Sequence, residues 1–533
     1  MDNRRLLLLL VFCFSIFMLW DAWQKHNLPQ PPVAQTSANQ AASSSNGQVP
    51  APTTGGNAAV PSVAQAAVAS APKVAVSTDL IQAEISSQGG DLVHLELLKH
   101  RGDGDTTKNF VLFDANEHHT YVGQSGLTGE GQPNHKTLWK ILPGPQELKD
   151  GQDALEVRLE AAAADGSKVV KTYTFHRGSY LVDVSFSGSK AANAYFQLVR
   201  DGVVEKSGYM GASTYTGPAF YTEQDKFQKT AFEDIAKGKD KHATKADNGW
   251  VAMVQHYFVS AWLPKGAEER EFYSRKLNDN LYAAGVILPT NNGQIDVSLY
   301  AGPQEQDKLK ALAPGLQLVV DYGWLTVIAS PLFWVLEMLH KLTNNWGWSI
   351  ILLTVAIKAV FFPLSAASYK SMAKMKLVGP KLQKLKELYA DDRARLNQEM
   401  MELYKKEKIN PLGGCLPILI QIPVFIALYW SLLGAVEMRH APWILWITDL
   451  SSKDPYYVLP LLMGATMLLQ TKLNPTPPDP VQAKVMMIMP IVFTGMFVFF
   501  PSGLVLYWTV NNLLSIAQQW QINRLIEGGK KAA

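Results

Sequence analysis

The stretch Trp348–Leu364, WSIILLTVAIKAVFFPL, decides how the C-terminal part of this chain is organised. It is apolar apart from Ser349, Thr354 and Lys358. Such a run predicts a membrane-spanning helix, because about 20 largely apolar residues cross the hydrocarbon core of a bilayer. A lysine near the middle of a span costs roughly 2.5 to 3.5 kcal/mol, so its side chain is expected to face water, a partner charge or a cavity.

Lys358 has two interpretations. Its long side chain can snorkel to the nearer membrane surface, because Trp346 at the opposite surface lies about twelve residues, or roughly 18 Å of helix, away. Alternatively, Lys358 lines a water-filled recess, and Thr354 and Ser365 continue a polar stripe along the same helix. No Asp or Glu lies within any predicted span, so the sequence offers Lys358 no counter-ion inside the membrane.

Further apolar segments predict a polytopic α-helical membrane protein of six spans. These segments are Leu6–Trp20, Trp348–Leu364, Gly413–Leu433, Tyr457–Thr471, Val485–Phe500 and Leu504–Trp520. Several of them have about 16 apolar residues instead of about 20, which predicts local thinning of the bilayer. Residues 321–345 mix a wide apolar face with charged side chains, so they predict an interfacial amphipathic helix.

The last predicted span carries polar side chains at helical spacing. Trp508, Asn512, Ser515 and Gln519 follow one face, and Gln421 lies in the third span. Hydrogen bonds between helices would explain these groups as well as a polar cavity would. The candidate groove residues are Lys358, Thr354, Gln421, Trp508 and Asn512.

The distribution of Lys and Arg in the short loops predicts the orientation. Arg4 and Arg5 put the N terminus in the cytoplasm, and six spans return the basic tail, residues 524–533, to the same side. The loop between Ser365 and Leu412 has a net charge of +5, from eleven Lys and Arg against six Asp and Glu. The long region between the first and second spans therefore lies outside the cytoplasm.

Residues 366–411 of that basic loop predict a cytoplasmic helical hairpin. Two apolar stripes recur at helical spacing: Leu382, Leu385 and Tyr389 on the first helix, and Leu396, Met400 and Leu403 on the second. The stripes either bury each other or form a docking surface. Emerging chains, ribosomes and signal-recognition targeting factors are the candidate partners of such a surface.

The region before the spans divides into three parts. Residues 73–320 predict an all-β sandwich domain, because short alternating stretches such as LIQAEIS (Leu80–Ser86) and ALEVRLE (Ala154–Glu160) recur between turn residues. Residues 27–72 contain no aromatic and no charged side chain, so they predict a disordered tether. Residues 1–26 resemble a signal peptide but lack a small-residue cleavage site, so they predict an uncleaved membrane anchor.

The composition argues against several functions. A net charge of +3 is too small for a nucleic-acid-binding protein of 533 residues. The two cysteines, Cys13 and Cys415, lie in apolar segments, so neither a disulfide framework nor a cysteine metal site has support. The sequence also contains no recognisable ATP or GTP motif, and we expect no cofactor, metal or catalytic residue.

Five ordered motifs are similar to those of the YidC membrane protein insertases of Gram-negative bacteria. These motifs are NWGWSII (Asn345–Ile351), SMAKMK (Ser371–Lys376), NPLGGCLPILIQIPVF (Asn410–Phe425), DPYYVLP (Asp454–Pro460) and FPSGLVLYW (Phe500–Trp508). The resemblance covers the whole chain, including the large external domain that shorter relatives lack. It implies a five-span insertase core, residues 346–523, around a groove open to the cytosol and to membrane lipids.

The resemblance also implies roles for particular residues and partners. The single positive charge of the groove falls on Lys358, and Thr354, Gln421 and Trp508 fall at positions associated with the groove or with client contacts. The implied clients are nascent inner-membrane proteins, inserted by the protein alone or with the Sec translocon. The termini would then be cytoplasmic and the β domain periplasmic. The family's external domain is similar to sugar-binding sandwiches, but the sequence shows no sugar site.

Two other functions stay open at this point. A small-solute or anion transporter would use Lys358 to bind its substrate, although transporters usually show internal repeats or coupling carboxylates, and neither is found here. A carbohydrate-processing enzyme anchored by the spans would leave the polar stripes and the basic hairpin unexplained. The insertase is therefore the preferred prediction.

Overall fold

The chain folds as two compact units in the computed structural model. The structure describes residues 71–102, 105–116, 119–204, 215–389, 392–407, 416–474 and 480–531. The described residues up to Val320 form the β unit, and those from Asp321 onward form the helical unit. The predicted anchor, residues 1–26, and residues 27–70 of the predicted tether lie outside the described residues.

The described part of the β unit is built from antiparallel strands in two sheets. The first sheet has the order β1-β2-β3-β4-β5-β10-β17-β16-β13, and the second has the order β12-β11-β14-β15-β18-β9-β8-β7-β6. The strands are β1 Lys73–Ser77, β2 Ile81–Ser86, β3 Leu92–Arg101, β4 Asn109–Ala115, β5 Thr120–Leu127, β6 Lys140–Ile141, β7 Ala154–Ala162, β8 Lys168–His176, β9 Leu181–Ser187, β10 Asn193–Asp201, β11 Gly217–Thr222, β12 Lys226–Lys229, β13 Lys245–Ala246, β14 Trp250–Val254, β15 Phe258–Pro264, β16 Arg270–Asn278, β17 Leu281–Pro289 and β18 Ile295–Pro303. Two short helices, α1 (Phe232–Ala236) and α2 (Gln306–Leu312), accompany the sheets.

The prediction of an all-β domain is confirmed by these strands. In β7, alternate residues such as Leu155 and Val157 are buried, whereas Glu156 and Arg158 between them are exposed. This period of two is the pattern from which the strands were predicted. Strand β10 instead is buried along nearly its whole length, and its Phe196 ring lies 5.1 Å from the ring of Trp262 in the second sheet.

A buried ion pair joins the two sheets. Lys171 in β8 lies 3.7 Å from Asp91, and the side chains are 0% and 5% exposed. The Lys171 ammonium also donates to the Ser125 carbonyl of β5 at 3.1 Å and to the Gly89 carbonyl at 3.3 Å. Burial raises the pKa of Asp91 and lowers that of Lys171, and the attraction between the two charges opposes both shifts. A charge buried this deeply is tolerated because carbonyl oxygens complete its hydrogen bonds.

His135 lies beside this cluster as a half-buried imidazole. Its backbone N–H donates to the Tyr195 hydroxyl at 3.0 Å, and its ring Nδ1 contacts the same hydroxyl. Burial, and then the positive charge of Lys136, lower the pKa of His135 to about 3. Both causes disfavour the charged imidazole, so the folded β unit favours the neutral form.

This shift predicts a pH dependence for the stability of the β unit. A histidine whose pKa is lowered by folding stabilises the fold fully above its ordinary pKa of about 6.5, and the contribution is lost as the pH falls from there toward 3. We expect His135 to lower the opening free energy of β5 and β10 by roughly 1 to 2 kcal/mol between about pH 7 and pH 5, taken relative to His135→Gln, because Asp91 titrates in the same range with the opposite effect in both proteins. Hydrogen exchange of the full chain, corrected for intrinsic rates, measures it. His135→Gln should remove most of this dependence, and an identical profile in both proteins would refute the assignment.

The helical unit contains eight helices within the described residues. They are α3 Thr326–Thr343, α4 Trp346–Val360, α5 Phe362–Leu388, α6 Arg393–Lys406, α7 Leu416–Gly434, α8 Val458–Leu473, α9 Pro480–Phe497 and α10 Ser502–Lys531. The predicted C-terminal segments thus contain helices, and α10 continues through most of the predicted tail. No single helix in the described part of the chain is both long and apolar enough to cross a membrane. Helices α4 and α5 together reach the required length and apolar composition, but they are bent by 67° at their junction.

The predicted hairpin forms from α5 and α6. Val378 and Leu382 of α5 bury against Tyr404 of α6, and Met400 and Leu403 pack around them. Asp392 caps α6 by accepting a hydrogen bond from the Arg395 backbone at 3.0 Å. Leu382 of the first predicted stripe therefore packs in the same cluster as Met400 and Leu403 of the second.

Two of the recognised motifs hold helix ends in place. Asp454 is fully buried and accepts from the Trp446 indole at 3.0 Å and from the backbone of Leu459, in the first turn of α8, at 2.7 Å. Asn345 accepts from the Trp348 backbone at 3.2 Å and donates to the Trp443 carbonyl at 3.1 Å. The starts of α8 and α4 are therefore tied to the same connecting segment between α7 and α8.

Helices α8 and α9 meet at Gly464. A Cβ at this position would lie 2.1 Å from the Thr494 hydroxyl oxygen, so only glycine permits this approach. Gly495 on α9 has open space around its missing Cβ. The two glycines form a matched pair for a packing test.

Gly464→Ala should destabilise the helical unit by about 1 to 3 kcal/mol, because the added methyl group forces the helices apart. The midpoint of helix loss on heating, measured by circular dichroism on the full chain in detergent, should fall. Gly495→Ala is the control and should leave the midpoint nearly unchanged. Equal midpoints for the two variants would contradict the described packing.

Candidate functional site

The Lys358 side chain is buried in the last turn of α4. It is 8% exposed, and its Nζ donates a hydrogen bond of 2.7 Å to the hydroxyl of Ser515 in α10. Lys358 forms no ion pair with a carboxylate in the parts of the chain that the structure describes. The ammonium has three N–H groups, so a single neutral hydroxyl leaves most of its hydrogen-bonding capacity free.

Lys358 also lines a small cavity. Its volume is about 20 Å³, which is enough for about one water molecule. It is mostly apolar, and Lys358, Ser365 and Gln421 provide its polar groups. The lining residues are Ile357, Lys358, Phe361, Leu364, Ser365, Ile420, Gln421 and Val424. The junction between α4 and α5 forms one wall, and α7 forms the other.

Gln421 is fixed by α10. Its amide nitrogen donates to the side-chain oxygen of Asn511 at 2.5 Å. Asn511 lies one turn before Ser515, whose hydroxyl donates to the Asn511 carbonyl at 2.7 Å. Asn511 and Ser515 therefore form a row on α10 that faces Gln421 and Lys358.

The other predicted groove residues lie elsewhere in the bundle. Thr354 is buried and donates to the Ile350 carbonyl of its own helix at 2.7 Å. Trp508 packs among phenylalanines, with ring distances of 4.6 Å to Phe425 and 5.4 Å to Phe497. Asn512 donates to the Thr466 hydroxyl of α8 at 3.3 Å. The cavity thus unites Lys358 and Gln421 of the five candidates.

The predicted polar stripe of α10 is divided between two neighbours. Asn512 and Gln519 face α8 and the residues after it, where Gln519 donates to Asn474 at 3.1 Å. Asn511 and Ser515 face α7 and α4. Asn511 was missed from the sequence, although its spacing of four residues from Ser515 is the signal that could have found it.

Both units of the chain match models of known protein families. Residues 73–335 match the family model described as the YidC periplasmic domain, and residues 338–530 match the model described as the 60Kd inner membrane protein. A protein of Aromatoleum aromaticum named membrane protein insertase YidC is 60% identical over 551 residues, covering 100% of both chains. The protein of the same name from Dechloromonas aromatica is 59% identical, covering 100% of this chain and 99% of that one.

Among solved structures, an active YidC insertase with its first transmembrane domain resolved is similar to this chain. The match covers 84% of this chain and 91% of that one, at 20% identity and a TM-score of 0.40. Family membership follows from the full-length relatives and the two family models. This chain belongs to the YidC family of membrane protein insertases.

Proposed function

We propose that this chain inserts nascent inner-membrane proteins and assists their folding by offering their polar segments the positively charged site around Lys358. The observation that carries the proposal is a buried ammonium with a neutral hydroxyl as its described partner and a cavity at its side. The relatives named above are insertases, and nothing among them favours the transporter alternative. Insertion requires no covalent chemistry, so the role is that of a non-enzymatic chaperone.

The free hydrogen-bonding capacity of Lys358 suits an acidic client segment. A carboxylate entering the apolar cavity would accept hydrogen bonds from the ammonium, and the pair would attract strongly because little water screens it. Each partner compensates the desolvation of the other, so the barrier for moving a short acidic tail into the bilayer falls. In the described state the cavity has room for only about one water molecule, so client entry must separate the α4–α5 junction from α7.

Helix length supports a thin membrane at this site. Helices α4 and α8 have 15 and 16 residues, or about 22 to 24 Å at 1.5 Å per residue. A hydrocarbon core of about 30 Å would exceed both. We propose that the bilayer thins around the bundle, which shortens the path of a polar segment.

The proposed topology has six spans with both termini in the cytoplasm and the β domain in the periplasm. Helix α3 would lie in the membrane surface, since it buries Phe333 and Leu336 in the bundle and exposes a second apolar stripe with Val327, Trp334 and Leu342. The basic hairpin of α5 and α6 would be cytoplasmic and would contact ribosomes or targeting factors. Cooperation with the Sec translocon belongs to the same proposal.

The charge model predicts a graded response to substitution of Lys358. Lys358→Arg should support insertion, whereas Lys358→Ala and Lys358→Glu should reduce insertion of a client with an acidic translocated tail by about tenfold or more, because a charge pair at 4 Å in a partly screened site is worth about 4 kcal/mol before desolvation costs. Protease protection of the tail after depletion of the native insertase measures this effect.

The control for that test is Lys472→Ala, which removes an exposed lysine of α8 that does not line the cavity. It should insert the acidic client at the level of the unsubstituted protein. Normal insertion of the acidic client by Lys358→Glu would contradict charge attraction.

A further inference from the structure

The Ser515 hydroxyl has several polar neighbours within the bundle, including the buried Tyr369 side chain of α5. Ser515 accepts the 2.7 Å hydrogen bond from Lys358 and donates its own proton to the Asn511 carbonyl at 2.7 Å. The residue is 3% exposed. Because its proton is committed to the helix backbone, the hydroxyl presents a lone pair to the ammonium in a fixed direction.

Lys358 needs such an anchor. A lysine side chain is a flexible four-carbon stem, and one near the end of a membrane helix tends to extend toward the water at the interface. Lys358 lies two residues before the end of α4, so the same extension is open to it. The hydrogen bond to Ser515 instead directs the ammonium across to α10, where it borders the cavity.

The neighbouring polar groups do not replace this anchor. Gln421 lines the same cavity, but its amide nitrogen donates to Asn511. Thr354 lies one turn before Lys358, and its hydroxyl donates to its own helix. Ser515 is therefore the described acceptor of Lys358.

We propose that Ser515 is a positioning residue that holds the Lys358 ammonium at the cavity and thereby sets the preference of the protein for acidic client segments. This inference rests on the proposed function, because Ser515 would act only by positioning the Lys358 ammonium. A carboxylate of the client would then meet an ammonium that is already in place, which reduces the ordering cost of binding.

The test compares two clients that differ only in the translocated tail, with Asp residues in one and Asn residues in the other. The readout is the ratio of acidic to neutral client inserted, which a general loss of stability does not change. Ser515→Ala should lower this ratio about three- to tenfold, as expected for losing one hydrogen bond of ordinary net strength while the charge of Lys358 is retained. Ser515→Thr keeps the hydroxyl and should restore the ratio. Ser515→Cys, a weak acceptor of similar size, should behave like Ser515→Ala.

The matched control is Thr509→Val on the same helix. Thr509 is also buried and donates to the carbonyl four residues earlier, Val505, at 2.7 Å, but it does not contact Lys358. This substitution should leave the ratio unchanged. Membrane abundance of every variant, measured by immunoblotting, shows that each protein has folded.

A double-mutant cycle with Lys358→Ala separates this inference from the proposed function. Once the ammonium is absent, Ser515→Ala should have no further effect on the ratio. An unchanged ratio in Ser515→Ala, or an equal fall with and without the ammonium, would overturn the positioning role while leaving the charge model standing. If Lys358→Ala alone leaves the ratio unchanged, the proposed function fails and the inference fails with it.

Discussion

The helical unit is organised around one constraint, the burial of a positive charge without an ion-pair partner among the described residues. Lys358 lies among apolar residues. The free-energy cost of burying its charge is reduced by a hydroxyl from α10 and by a cavity with room for about one water molecule. Helix α10 must therefore pass close to both α4 and α7, and the row of Asn511 and Ser515 meets this requirement. In the proposed function, this ammonium is the group that binds a client carboxylate.

The rest of the bundle packs around this arrangement. Trp508, Phe425 and Phe497 form an aromatic core beside the polar row, so that the polar contacts are made at defined positions. The buried Asp454 and the cap at Asn345 fix the starts of α8 and α4, and Gly464 lets α8 approach α9 closely. The β unit also buries a lysine, Lys171, but this ammonium contacts both a carboxylate and two carbonyl oxygens. Lys171 therefore has a charged partner, whereas the described partner of Lys358 is the neutral hydroxyl of Ser515.

Local patterns predicted much of this structure. Alternation located strands such as β2 and β7, apolar runs located the C-terminal helices, and helical spacing paired Leu382 with Met400 and Leu403. The fully buried strand β10 has no alternation and could not be found in this way. Sequence spacing also could not show which neighbouring helix each polar residue of α10 faces. The directions of adjacent side chains differ by only 100° around the helix axis, and their partners depend on the tertiary packing. Asn512 consequently faces Thr466, and the cavity instead receives the row of Asn511 and Ser515.

The most direct measurement of the central claim is where a client touches the bundle. A photo-crosslinking residue can replace Ile420, which lines the Lys358 cavity, or Asn512, which faces α8 on the other side of α10. During insertion of a stalled single-span client with an acidic tail, we expect strong crosslinks from position 420 and little crosslinking from position 512. Equal crosslinking from both positions, or crosslinking from position 512 alone, would contradict a client site at Lys358.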